Sequence, residues 1–83
     1  MRLRIYAKTT DEAKVFTDIA TKYDFNVDVK SGKNYADGKS LLGVCSLCSS
    51  LPLDIDAHGG TSEQYSAFVN DIKAAGLIRR KKG

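Results

Sequence analysis

An α+β fold is predicted for this 83-residue chain: a two-layer sandwich in which four strands form one sheet with helices on one face. Three observations predict it. Four segments alternate apolar and polar residues with a period of two, helical periodicity falls between them, and the turn signals give the order β-α-β-β-α-β-α. The length allows one domain, and 42% apolar residues suffice for a small core.

Leu3, Ile5 and Ala7 alternate with Arg2, Arg4 and Tyr6, which is a half-buried first strand. Thr9 and Glu12 have capping-box spacing, with Asp11 also in the first turn. Ala13, Phe16, Ile19, Ala20 and Tyr23 then recur at helical spacing, so a first helix is expected from about residue 10 to 23. Phe25, Val27 and Val29 mark the second strand. Ser31-Gly32 is a hairpin signal, and residues 33–36 make a short third strand. After Asp37-Gly38, Ser40 can cap a short apolar helix holding Leu41, Leu42, Val44, Cys45 and Leu47. Gly43 inside it costs about 1 kcal/mol against alanine, so packing must hold this helix.

Leu51, Leu53, Ile55 and Ala57 alternate with Pro52, Asp54 and Asp56, giving a fourth strand that begins at the proline. His58-Gly59-Gly60 reads as a loop. Thr61 and Gln64 form a second capping box; Tyr65, Phe68, Val69 and Ile72 line one face of the last helix, which Gly76 ends. The polar alternates Asn26, Asp28, Lys30, Asp54 and Asp56 suit a sheet with one face in water.

Charge argues against a dedicated nucleic-acid binder. Arg79, Arg80, Lys81 and Lys82 supply four of thirteen cations, so residues 1–78 hold nine against ten carboxylates. A binder would spread its cations over one surface, and a short basic end is ordinarily solvated. Residues 1–78 are therefore read as the domain and 79–83 as a basic tail. No stretch is long and apolar enough to cross a bilayer, the N-terminus is unlike a signal peptide, and two cysteines do not make a disulfide scaffold. A cytoplasmic location is expected.

Few residues invite chemistry. Cys45 and Cys48 have C-x-x-C spacing, but a redox pair wants the helix start, where the thiol pKa falls. Here they lie inside or at the end of the helix. A zinc site lacks two further ligands. They are read as small core residues, and no metal or cofactor is expected. His58, the only histidine, sits in a glycine-rich loop with no nucleophile pattern. Gly38-Lys39-Ser40 ends like a phosphate-binding loop, but that motif requires glycine where Lys33 stands, and the chain is too short for a nucleotide fold. Ser40 is explained as a helix cap, yet a phosphoryl group at a helix start is also favoured by the free N–H groups there. Leu41 and Leu42 cannot both face inward on a short helix, so one is expected to form an exposed apolar spot beside the serine.

Lys39-Ser40-Leu41-Leu42-Gly43-Val44-Cys45-Ser46-Leu47 resembles the second-helix motif of the histidine-containing phosphocarrier protein, HPr, of Gram-positive bacteria. That motif is a Lys-Ser pair, two apolar residues, Gly-Val, any residue, then Ser-Leu. The element order, the length and the closing Ala75-Gly76-Leu77 agree; the resemblance spans residues 2–78 and is strongest over 38–60. It implies an open-faced sandwich with sheet order 1-4-2-3. It implies that Ser40 is a regulatory phosphorylation site, and that Lys39, Leu41, Leu42 and Cys45 dock partner proteins, a phosphotransferase-system kinase or transcription regulators.

The first loop departs from the family. HPr has a Gly-apolar-His-Ala/Thr-Arg-Pro signature there, whereas this chain reads Ala7-Lys8-Thr9-Thr10-Asp11-Glu12-Ala13, with no His, Arg or Pro. Asp11 and Glu12 would repel a phosphate. With the implied sheet order, His58 lies at the opposite edge, and the basic tail lies near the first loop, where it would offset those acids. The expectation is a non-catalytic regulatory or protein-binding paralogue of the phosphotransferase system. The alternatives are an atypical phosphocarrier and a nucleic-acid binder led by the tail.

Overall fold

The computed structural model describes residues 1–78; the basic tail and its expected position near the first loop lie outside the described residues. The strands are β1 (Arg2–Ile5), β2 (Asn26–Ser31), β3 (Asn34–Asp37) and β4 (Leu53–His58). The helices are α1 (Thr10–Thr21), α2 (Leu41–Leu47) and α3 (Ser62–Ala74). The strands form one antiparallel sheet in the order β1-β4-β2-β3, as the resemblance implied.

Alternation assigns the faces. Ile5, Val27, Val29, Leu53, Ile55 and Ala57 point inward and are buried. They meet Ala13, Phe16, Ile19 and Ala20 of α1, Val44 and Leu47 of α2, and Phe68 and Ile72 of α3 in one core. Their partners face water in two registered rows. One runs Arg4, Asp54, Lys30, Tyr35; the other runs Arg2, Asp56, Asp28, Asp37. Arg4 pairs with Asp54 at 3.0 Å, and the Lys30 ammonium lies 5.3 Å from the Tyr35 ring centre.

The helix ends follow local chemistry. Both capping boxes form: Thr9 with Glu12, and Thr61 with Gln64. Gly76, at φ +75, ends α3: its N–H reaches the Lys73 carbonyl, and the Leu77 N–H reaches Ile72. That is a Schellman closure, which folds the buried Leu77 back onto the core. The Tyr6 N–H then donates to the Leu77 carbonyl at 2.7 Å, tying the end of α3 to the first loop.

Several boundaries differ from the sequence expectation: β4 takes in His58, which reads as loop in the sequence, β3 runs on to Asp37, and three further shifts have a local cause. α1 stops at Thr21, not at 23, because Tyr23 leaves the helix to stack on Phe25, ring centres 5.2 Å apart. β3 starts at Asn34, because Gly32 (φ +60) and Lys33 are both needed for the hairpin turn between the paired Ser31 and Asn34. β4 starts at Leu53, because Pro52 has no N–H to give a ladder.

Candidate functional site

The short helix α2 is placed from three sides. The Gly38 N–H donates to the Val27 carbonyl at 2.7 Å, drawing the incoming chain hard against β2. A Cβ at Gly38 would lie 2.5 Å from Val27 Cγ1 and 2.9 Å from its carbonyl oxygen, so only glycine fits. Thus the glycine of the Gly38-Lys39-Ser40 string is explained by close packing. The Lys39 N–H donates to the Asp37 carboxylate at 2.9 Å, and the Lys39 ammonium to the Tyr23 carbonyl at 2.6 Å. Gly43 permits the third contact: a side chain there would meet Ala36 Cβ of β3 at 3.1 Å.

Ser40 caps the helix, accepting the Gly43 N–H on its Oγ at 3.2 Å. It is half-buried. Val44 and Leu47 point into the core. Leu41 and Leu42 do not: they are 38% and 84% exposed. The sequence allowed one outward leucine; the structure turns both toward solvent, Leu42 almost entirely. Val15, on α1 (the helix that packs beside α2), is 43% exposed. Sequence reasoning missed it because it stands just off the Phe16, Ile19 stripe.

The cysteines part company. Cys48, the C-cap of α2, is 9% exposed and belongs to the core; its thiol lies 3.4 Å from the Val44 carbonyl. Burial pushes this thiol above its ordinary pKa, and the nearby Cys45 and Glu12 add to the shift. Cys45 is half-buried and packs against the core margin, which corrects its reading as a core residue.

The start of α1 is filled by the chain's own carboxylate. Glu12 Oε1 accepts the N–H groups of Lys8 and Thr9, both at 3.2 Å, while the Thr9 hydroxyl accepts the Glu12 N–H at 3.1 Å. An anion arriving there would meet this carboxylate and Asp11 beside it. His58 is exposed at the far end of β4. Leu53 is the β4 residue that pairs with Ile5, beside the first loop, whereas His58 pairs with Asn26 at the other edge. Its Nε2 lies 3.9 Å from the Asp28 carboxylate.

One further cluster escaped the sequence reading. The rings of Tyr23, Phe25, Tyr65 and Phe68 pack together, mostly edge to face. The Tyr23 hydroxyl donates to Asp71 at 2.6 Å, and Lys22 bridges to the same carboxylate at 3.0 Å. The bond to Asp71 and burial push the Tyr23 pKa up from 10.0 to about 12. The Tyr23 and Lys22 donors hold the Asp71 carboxyl below its ordinary value. Because Lys39 grips the Tyr23 carbonyl, this cluster also anchors the entry to α2. Partners 48 residues apart leave no local signal.

Among the described residues, no group of three His, Cys, Asp or Glu side chains is placed to hold a metal ion. No helix among them is long and apolar enough to cross a membrane.

Two solved structures share the arrangement. HPr-C-His from Thermoanaerobacter tengcongensis is 23% identical, with a TM-score of 0.70 over 90% of this chain and 93% of that one. A Mycoplasma histidine-containing phosphocarrier protein is 16% identical, with a TM-score of 0.73 over 96% and 100% of the two chains. The likeness over nearly the whole length of both shows that this chain has the HPr fold. No protein-family profile and no curated protein matches the sequence.

Proposed function

We propose that the chain is an HPr-like protein without the phosphoacceptor histidine, a non-catalytic regulator that binds partner proteins through α2 and is switched by phosphorylation at Ser40. One observation carries the reading: Leu42 is 84% exposed two residues after a half-buried capping serine. Two adjacent outward leucines contribute little to the core of a small domain, and such a spot suits a docking contact. Leu41, Leu42 and Cys45 supply its apolar surface, and Lys39 lies at its edge.

A phosphate on Ser40 would add about −1.5 to −2 charge beside those leucines. The first-turn N–H groups of α2 would favour it, so the helix survives while the patch becomes strongly anionic. Phosphorylation thereby selects between partners that prefer an apolar and an anionic surface.

The phosphocarrier alternative is disfavoured by two facts of the first loop. It holds no histidine, and Glu12 already accepts its N–H groups. Two incubations test the proposal. With ATP and the serine kinase that acts on Gram-positive HPr, the protein should gain one phosphate, absent in S40A; no gain removes the switch. With phosphoenolpyruvate and the first phosphotransferase enzyme, no acid-labile phosphate should form; its appearance would overturn the non-catalytic reading.

A further inference from the structure

We infer that Cys45 and Cys48 form a reversible intramolecular disulfide across the last turn of α2, with a low-molecular-weight disulfide of the glutathione class as oxidant. The inference goes beyond the proposed docking role and does not depend on it.

The backbone supplies the geometry. Cys48 closes the helix with φ −63 and ψ −22, and its N–H donates to the Cys45 carbonyl at 3.2 Å. These are the dihedrals and the three-residue hydrogen bond of a 3₁₀ turn, in which side chains at i and i+3 eclipse. The two cysteines therefore stand above one another on one helix face. Their Cα separation follows from helix dimensions as roughly 5–6 Å, inside the range of about 4.4–6.8 Å that disulfides span. The thiols are also close enough for Cys45 to affect the ionisation of Cys48. The closing contact costs only the weak link from the Cys48 thiol to the Val44 carbonyl, because the ladder bond to Cys45 can stay in place.

Exposure divides the roles. Cys45 is the less buried thiol and meets the oxidant first. As thiolate it attacks one sulfur of R–S–S–R; the S–S bond breaks, R–S⁻ leaves, and a mixed disulfide remains on Cys45. Cys48, buried beneath, then loses its proton to solvent and attacks the Cys45 sulfur, expelling the second R–S⁻. The protein loses two electrons and two protons, and the small disulfide becomes two thiols. Burial of Cys48 keeps its thiolate scarce, so it resolves the adduct but does not capture oxidant itself. The result is a tether inside the helix that carries the outward leucines.

The test uses the full chain, folded, in mixtures of oxidised and reduced glutathione, followed by acid trapping, alkylation and intact-mass measurement. A species two hydrogens lighter, closed to alkylation, should outnumber the glutathione adduct by about tenfold or more, since the second thiol acts at high effective concentration. C48S should stop at the adduct on Cys45, and C45S should take up little glutathione. C48A, melted beside the parent, guards against misreading an unfolded variant. A persistent adduct on Cys45 in the parent chain, two adducts, a cross-linked dimer, or thiols left free would each overturn the inference. None of these readouts involves Ser40 or a partner, so failure here leaves the docking proposal standing, and the reverse.

Discussion

Replacing Gly38 with alanine should destabilise the domain although the change is one methyl group at the end of a loop. The new Cβ would lie 2.5 Å from Val27 Cγ1, 3.0 Å from Val27 Cβ and 2.9 Å from the Val27 carbonyl oxygen. Comfortable carbon contacts begin at about 3.5 Å, so each must open by roughly 0.5–1 Å. A rotamer change at Val27 would relieve only the Cγ1 contact. It is also poorly available to a β-branched residue, 2% exposed, on a strand with neighbours on both sides. The oxygen cannot move without β2, so the incoming chain must retreat and stretch the 2.7 Å bond from the Gly38 N–H. Overpacking of this kind costs about 1–3 kcal/mol, and a weakened hydrogen bond adds up to about 1. For a domain of this size, a loss of about 2–3 kcal/mol lowers the melting temperature by about 8–24 °C. Thermal unfolding followed by circular dichroism, backed by urea titration, measures it. A G38A variant melting within about 3 °C of the parent would refute the close-approach argument.

Two other predictions separate fold from function and exploit a titration. L42A should leave stability within about 0.5 kcal/mol, whereas L47A, at a buried position of the same helix, should cost about 2–5 kcal/mol; if the docking proposal holds, L42A alone slows Ser40 phosphorylation without a change in melting. Y23F should melt below the parent at pH 8, because it loses the donor to Asp71. The raised Tyr23 pKa means that this contribution is complete below pH 10.0 and disappears as pH rises through about 12. The gap between the two melting curves should therefore close over that interval. It should also narrow in acid, as Asp71 takes up a proton below its already lowered pKa. A gap constant from neutral pH to pH 12 would show that the hydroxyl contributes nothing through this pair.

Much of the architecture lay open in the chain because its determinants are near neighbours. Thr9 needs only Glu12, and Thr61 only Gln64, to begin a helix. Gly76 and Leu77 close α3 on carbonyls three and five residues back, respectively. Leu53, Ile55 and Ala57 declare a buried face by alternation alone, and Arg2, Asp56 and Asp28 declare a wet one. Ser40 was legible as a cap for the same reason. That the first loop holds no histidine required no structure at all.

Other features answer to contacts between distant segments, which periodicity does not register. That Gly38 must be glycine depends on Val27, eleven positions earlier. Tyr23 ends α1 early because Phe25, Phe68 and Asp71 hold it elsewhere. Two cysteines three residues apart looked alike until packing buried one and left the other at the margin. Both leucines after Ser40 turn outward because Val44 and Leu47 already occupy the single face that so short a helix can offer the core. Patterns within one turn or one strand are set by bonds local to the chain. The orientation of a seven-residue helix is set by what the rest of the molecule packs against it.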